Sequence, residues 1–455
     1  MPTVGLYTLG CKVSQYETEA IAEAFAKEGF TVLPYESPCD VYVINTCTVT
    51  AESDRKSRQM IRRAKKANPD AVVCVTGCYA QTSPDEVAAV EGVDIVVGTA
   101  DKLSLVARAK ARLATRWEDA SPEVAVACLD GVPFEEMCIT GAPRTRVYVK
   151  IEDGCECHCT YCAIPGARGK VRSKRPEDVI AEVEALAARG TREVVLTGIE
   201  TASYGADFQD GYRLIDLVEE LDRRGSVERI RFGSLTPEVM TEDFVRRIAR
   251  LSSPVPHFHL SMQSGSDGVL RRMKRRYNRA QALAAMERVR VAMPRVHFTT
   301  DLMVGFPGES EEEFEETLDF ARRARFLAAH VFAYSGRKNT PAATYPHQVP
   351  EAVKHERSAR LIALCREIGE ELLSETVQAG ESLPVVFETR TGDFFTGHSD
   401  TFTEVRVRTE ESLHGALRRV RPLSHKNGIL YGELIGEKSG KENDAFTGKQ
   451  CQTVK

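Results

Sequence analysis

Cysteine spacing carries the first chemical signal. In GCECHCTYC, residues 154–162, four thiols crowd one short stretch, and Cys155, Cys159 and Cys162 keep C-x3-C-x2-C spacing. Thiolates at short, fixed spacing on one loop select soft metals: zinc, copper(I) or an iron–sulfur cluster. A structural zinc site takes four ligands, usually from paired Cys/His knuckles, and no second pair stands nearby. Three thiolates suit a cubane with one iron left open, and an open iron is a reaction site. Cys11, Cys47 and Cys78 lie far apart in the chain, yet each follows an apolar run: GLYTLG, VYVINT and VVCVTG. Cys39 and Cys74 read as buried thiols. Cys128, Cys138, Cys365 and Cys451 have no partner at ligand spacing.

The elements that must position these residues fall into three series. In the first, the strand-like runs GLYTL, VYVIN, VVCVTG and DIVVG alternate with helical patterns over residues 15–28 and 53–67, predicting a doubly wound parallel sheet. Each of the three distant cysteines then sits just beyond a strand carboxyl end, where open α/β sheets bind ligands. From about Gly141, RVYVKI, EVVLTG, RIRFGS, HFHLSMQS, HFTTDLMVG and HVFAYS alternate with helix-length segments. That alternation predicts a partial parallel β/α barrel whose carboxyl-end loops include the cysteine cluster. After a helix over residues 351–375, PVVFETR, FFTGHSD, FTEVRVRT, GALRRVRP and ILYGELIGE read as a small antiparallel barrel of a kind that binds nucleic acid or oligosaccharides. The domains expected are therefore 1–125, 141–375 and 376–438, with a polar, disordered tail over 439–455.

Composition narrows the class. The chain is 42% hydrophobic and 28% charged, with no apolar run near the roughly 20 residues of a membrane span. MPTVGLYTLGC lacks the basic start and long apolar core of a signal peptide, so a cytoplasmic, reducing location is expected, where clustered cysteines mean metal or redox chemistry. The net charge is −5, but cations concentrate in Arg55–Lys66, in RRMKRRYNR (271–279) and at Arg418, Arg419 and Arg421. Such runs suit a focused polyanion site. His257, His259 and His297 read as packed or hydrogen-bonded groups, and Asp301 as a strand polar group held by a backbone partner.

C-x3-C-x2-C after the first strand of a β/α barrel resembles the radical S-adenosylmethionine (SAM) enzymes. LGCKVSQYE, INTCTVT and TGCYAQ, together with SMQSGSDGVLRRM, DLMVGFPGE, YSGRKNTPA and the terminal small barrel, resemble the methylthiotransferases within that group, over residues 1 to about 437. GCKVSQYETEA is most similar to the branch acting on N6-threonylcarbamoyladenosine beside the tRNA anticodon, at position 37. The branches acting on isopentenyladenosine and on a ribosomal protein carry other residue pairs where this chain has Lys12-Val13. Ser14, Gly166 and Glu200 depart from the usual family residues.

The resemblance implies two [4Fe-4S] clusters, one on Cys155, Cys159 and Cys162 and one on Cys11, Cys47 and Cys78. It implies two SAM molecules per turnover: one reductively cleaved to a radical that removes the hydrogen at adenine carbon 2, the other methylating the sulfur. Thr197, Gly198, Glu200, Gln263, Ser264, Gly305 and Pro307 are expected to line the SAM pocket, with Glu200 accepting its ammonium. Arg271, Arg272, Lys274, Arg275 and Arg276 are expected to grip tRNA phosphates. A flavodoxin- or ferredoxin-like reductant and a sulfur source are the remaining partners. Cys157 stands where the family has a residue that is not a ligand. The competing reading is a non-catalytic, zinc-containing tRNA-binding protein.

Overall fold

The computed structural model describes residues 1–48, 51–115, 121–141 and 145–436. The tail expected over 439–455, with Cys451, lies outside the described residues.

The first sheet is all parallel, in the order β2-β1-β3-β4-β5-β6. Its chain order is β1 (Thr3–Thr8), α1 (Lys12–Lys27), β2 (Thr31–Leu33), β3 (Val41–Thr46), α2 (Ala51–Ala67), β4 (Val72–Gly77), α3 (Cys78–Thr82), α4 (Pro84–Ala88), β5 (Ile95–Val97), α5 (Ser104–Thr115) and β6 (Glu123–Ala125). Strands β3 and β4 are buried at every residue, which is why they read as continuous apolar runs. The three-residue edge strands β2 and β6 escape sequence reading because they are too short and too exposed to show a period.

The second series runs β7 (Arg146–Lys150), β8 (Glu152–Asp153), α6 (Ile164–Arg168), β9 (Arg172–Ser173), α7 (Pro176–Ala188), β10 (Glu193–Thr197), α8 (Leu214–Arg224), β11 (Arg229–Phe232), β12 (Ser234–Leu235), α9 (Glu242–Ile248), β13 (His257–Gln263), α10 (Asp267–Arg272), α11 (Arg279–Ala292), β14 (His297–Val304), α12 (Glu311–Ala324) and β15 (Ala328–Ala333). Parallel arcs β11-β10-β7 and β12-β13-β14-β15 meet at Gly233, which divides the third strand of the barrel. Six alternations are therefore present, and the barrel is open between β7 and β15. Helix α1 of the first sheet lies against β7, and its Tyr16 and Ala20 enter the same apolar core as Val147, Leu196, Phe258 and Phe298. Tyr16 is fixed there by donating to Glu182 Oε1 at 2.9 Å and to the Met137 carbonyl at 2.7 Å.

Helix α13 (Glu351–Ala379) leads to β16 (Leu383–Thr391), β17 (Phe394–Ser399), β18 (Glu404–Arg408), β19 (Leu417–Lys426) and β20 (Ile429–Leu434), which close a barrel in the order β16-β17-β18-β20-β19. Its β17–β18 loop seats on the amino ends of the parallel strands. Arg229 donates to the Ser399 carbonyl at 2.7 Å, Arg231 donates to the same carbonyl at 3.1 Å, and Phe402 stacks on His257 with ring centres 4.7 Å apart. The opposite, carboxyl-end mouth is where both cysteine groups lie.

Candidate functional site: two cysteine triads

Strand register brings the first triad together. Thr8 pairs with Asn45 and Thr46 with Gly77, so β1, β3 and β4 end at one level. Cys47 and Cys78 follow directly, and Cys11 begins α1. Gly77 has φ +98°, and a Cβ there would overlap the Thr46 backbone, so the turn into Cys78 requires glycine. A Cβ on Gly10 would lie 3.5 Å from the Cys47 sulfur. Cys47 and Cys78 are buried and Cys11 is exposed. Burial pushes the Cys78 thiol up, and Arg168 works against it.

Arg168, at the end of α6, is fully buried and donates its Nε–H to Cys78 Sγ at 3.2 Å. The rest of its guanidinium pairs with Glu17 of α1 and, at 3.2 Å, with Asp153, two residues before Cys155. Lys150 completes the group, 2.8 Å from Glu17 and 2.7 Å from Asp153, with Lys102 3.2 Å from Glu17. Burial opposes the charge on Glu17, but Arg168, Lys102 and Lys150 hold its carboxyl well below the usual range. This network ties the first sheet to the barrel between the two triads. Sequence reading missed it. Its signal was charge at apolar positions: Lys150 inside RVYVKI, and Glu17 on the buried face of α1.

The β8–β9 hairpin brackets the C-x3-C-x2-C loop. Gly154 has φ +92°, and a Cβ would overlap the Lys170 carbonyl. The Cys155 N–H reaches Gly169 O at 3.0 Å, while Thr160 is pinned through its N–H to Met273 O and its hydroxyl to Arg272 O. Cys159 is buried, and Arg275 Nη1 donates to its sulfur at 3.3 Å. The hydrogen bond with Cys155 holds the Cys157 thiol down at about 6 and pushes Cys155 up; burial raises Cys162 to about 12. Among the described residues no three Cys, His, Asp or Glu side chains are grouped to hold a single metal ion. The thiolates of a cubane each meet a different iron and so stand farther apart.

The residues expected to line the SAM pocket occupy the strand ends. Thr197 and Gly198 close β10, and Gly198 packs against Glu152, leaving no room for a side chain. The Glu200 N–H donates to Glu152 Oε2 at 2.9 Å, while Glu200 Oε1 and Glu152 Oε1 are buried without hydrogen-bond partners. Burial first, then Cys157, raises Glu200 to about 8. Orphaned carboxylate oxygens beside the cysteine loop fit a ligand that brings an ammonium. Gln263 is held at φ +67° beyond a register shift in β13, and Ser264 is buried against Thr317 Oγ1 at 3.4 Å. Gly305 packs against Lys354 and donates its N–H to Glu309 Oε1 at 2.9 Å; Pro307 follows in the same turn.

Lys12, the residue after Cys11, is half-buried and faces Arg231, Arg146 and Asp301; burial first, then the two arginines, lowers its pKa. Asp301 is held by side chains and not by backbone as expected: His259 Nε2 stands 3.2 Å away and His330 Nδ1 3.5 Å. His257 and His259 share Thr299 Oγ1, as packed histidines do.

The basic run divides by role. Arg272 pairs with Glu313 at 2.6 Å, Arg275 is turned toward Cys159, and Arg276 donates to the Glu156 carbonyl at 3.0 Å. Arg271, Lys274 and Arg276 are exposed.

Two family models match: the radical SAM superfamily over residues 149–321, and the uncharacterized protein family UPF0004 over residues 3–98. The first covers the cysteine loop and most of the barrel, the second the sheet bearing the other triad. The chain is 42% identical to a threonylcarbamoyladenosine tRNA methylthiotransferase of Bacillus subtilis, across 95% of this chain and 96% of that one. It is 38% identical to a tRNA-2-methylthio-N(6)-dimethylallyladenosine synthase of Acidothermus cellulolyticus, across 84% and 77%. Among solved structures, the radical SAM methyltransferase TsrM from Kitasatospora setae, with cobalamin and a [4Fe-4S] cluster bound, superposes with a TM-score of 0.55 at 16% identity, across 75% of this chain and 77% of that one. That likeness is one of fold. The end-to-end sequence match shows more: the chain belongs to the radical SAM methylthiotransferase family, and it is an enzyme.

Proposed function

We propose that the chain converts N6-threonylcarbamoyladenosine at position 37 of tRNA to its 2-methylthio derivative. The observation that carries this reading is the full-length 42% match to a relative named for that substrate. Lys12 supports it, because the threonyl group ends in a carboxylate and Lys12 carries a cation into the barrel, whereas Arg231 and Arg146 are already paired with Glu193 and Glu388. Asp301, which also faces Lys12, is already shared by two histidines.

The site residues take the following roles. Cys155, Cys159 and Cys162 would hold one [4Fe-4S] cluster, and Cys11, Cys47 and Cys78 the other. When bound, these clusters and SAM supply hydrogen abstraction and sulfur methylation, chemistry that no side chain in the site provides. Glu200 accepts the SAM ammonium, and Thr197, Gly198, Gln263, Ser264, Gly305 and Pro307 shape its pocket. Exposed Arg271, Lys274 and Arg276, with the small barrel, contribute phosphate contacts that position the tRNA. A low-potential electron donor and a sulfur source complete the set of partners. Among the described residues no helix is long and apolar enough to cross a membrane.

Nucleoside analysis of tRNA from a strain lacking this activity, with and without the gene, tests the substrate. The 2-methylthio derivative of threonylcarbamoyladenosine should appear only with the gene. Appearance instead of the methylthio derivative of dimethylallyladenosine, or of a modified ribosomal protein, would reassign it. Colourless protein with stoichiometric zinc would revive the non-catalytic reading.

A further inference from the structure

Two arginines stand in equivalent relations to the two triads. Arg168 Nε–H points at Cys78 Sγ from 3.2 Å, and Arg275 Nη1–H at Cys159 Sγ from 3.3 Å. Neither side chain is free to swing away. Glu17 and Asp153 occupy the rest of the Arg168 fork. The other Arg275 nitrogens donate to Ser261 O at 2.8 Å and Tyr277 Oη at 3.0 Å. Lys102, Lys150, Arg168 and Arg172 are gathered with the carboxyl groups of Glu17, Asp153, Glu135 and Glu152, and within this group it is Arg168 whose N–H meets a cysteine sulfur.

We propose that Arg168 and Arg275 each set the reduction potential of one cluster, Arg168 through Cys78 and Arg275 through Cys159, by a cationic N–H···S hydrogen bond. The proposal rests on the assignment of a cluster to each triad. Reduction adds negative charge to a cluster, and a cationic donor on a ligand sulfur stabilises the more negative state, so each bond raises the potential of its own cluster. The arginines are positioning residues for electron uptake and touch no substrate. The two settings are independent, because one donor belongs to the network between sheet and barrel and the other to the segment linking α10 to α11. Sulfur ligands with different donors allow one cluster to be reduced by a cellular donor while the other keeps its own poise.

The test is an EPR-monitored redox titration of reconstituted full-length protein. Signals are assigned with the Cys155/Cys159/Cys162→Ala and Cys11/Cys47/Cys78→Ala variants, which isolate one cluster each. Arg275→Gln should move the midpoint of the Cys155–Cys162 cluster to more negative potential and leave the other unmoved; Arg168→Gln should do the reverse. Unmoved midpoints, or both clusters shifting together in either variant, overturn the proposal. Because Arg168→Gln also breaks a buried ion network and can prevent folding, a second measurement uses the native residues. In protein carrying guanidino-15N arginine, pulsed EPR of each reduced cluster should show a weakly coupled 15N, and its absence at a cluster overturns the proposal there. Failure of the underlying assignment is separately visible: native protein would then bind no iron at the triad concerned.

Discussion

At the scale of single residues, the four thiols of GCECHCTYC are not equivalent. Cys159 is buried and receives Arg275, while Cys157 is half-buried, is hydrogen-bonded to the Cys155 thiol with Arg276 and Arg275 facing it, and stands outside the C-x3-C-x2-C spacing. Cys157→Ala should therefore keep the full iron content. Cys159→Ala should lose about four of about eight irons per reconstituted chain, the content of one cubane of two. Iron and sulfide assays after anaerobic reconstitution check this, and loss of the cluster in Cys157→Ala with retention in Cys155→Ala would reverse the ligand assignment. Lys12 makes a second residue-scale prediction. If its ammonium pairs with the substrate carboxylate, Lys12→Met should lower kcat/KM for threonylcarbamoyladenosine tRNA by roughly tenfold to a hundredfold, the worth of one charge-assisted hydrogen bond. Iron content and SAM cleavage without tRNA should stay as in the parent protein. A variant that modifies its tRNA at the parental rate would remove Lys12 from substrate binding.

At the scale of elements, the legible features were those written in local pattern. The buried strands read as apolar runs, the three distant cysteines stood at strand ends, and C-x3-C-x2-C marked its own loop. Features that depend on contacts across the fold were not legible. Arg275 reads as part of a basic run meant for phosphates, and only the fold turns it toward Cys159. Arg168 lies 90 positions from Cys78, and Glu17 looks like any helical glutamate until α1 is laid against β7. The network between α1, β7, β8 and α6 has a measurable cost when broken. Glu17→Gln keeps the shape but leaves Arg168, Lys150 and Lys102 short of a buried counter-charge, so it should destabilise the protein by about 3–5 kcal/mol, read as a lower thermal unfolding midpoint. The hairpin that carries the cysteine loop gives a more local prediction. Gly154→Ala forces a side chain into a left-handed position against the Lys170 carbonyl. Strain of roughly 1–3 kcal/mol at that turn should reduce iron loading on Cys155, Cys159 and Cys162 while the other triad still fills.

At the scale of the whole molecule, the carboxyl-end mouth of the barrel carries both cysteine triads and the amino end is closed by the small barrel. The closing contact is sensitive to charge. His257 is buried under the Phe402 ring and is faced by Arg231 from β11, His259 from its own strand, Lys12 from α1 and His297 from β14. Burial first, then these cations, keeps its pKa well below 6.5; burial likewise lowers His297 to about 4, and its Nδ1 has no hydrogen-bond partner. In the unfolded chain both histidines titrate near 6.5. Their contribution to stability is therefore complete above pH of about 6.5 and is lost as pH falls toward about 4, because in that window the unfolded state binds protons that the folded state refuses. The first structure to yield should be the seat of the small barrel, since a charged His257 stacked on Phe402 would face Arg231. Limited proteolysis at pH 7.5 and pH 5 should show α13 and the β17–β18 loop becoming cleavable at the lower pH while the first sheet stays intact. In His257→Gln, which keeps a hydrogen-bonding group near Thr299 but takes up no proton, the pH dependence should flatten even if the protein is less stable throughout. An unchanged pH dependence in that variant would place the acid sensitivity elsewhere in the fold.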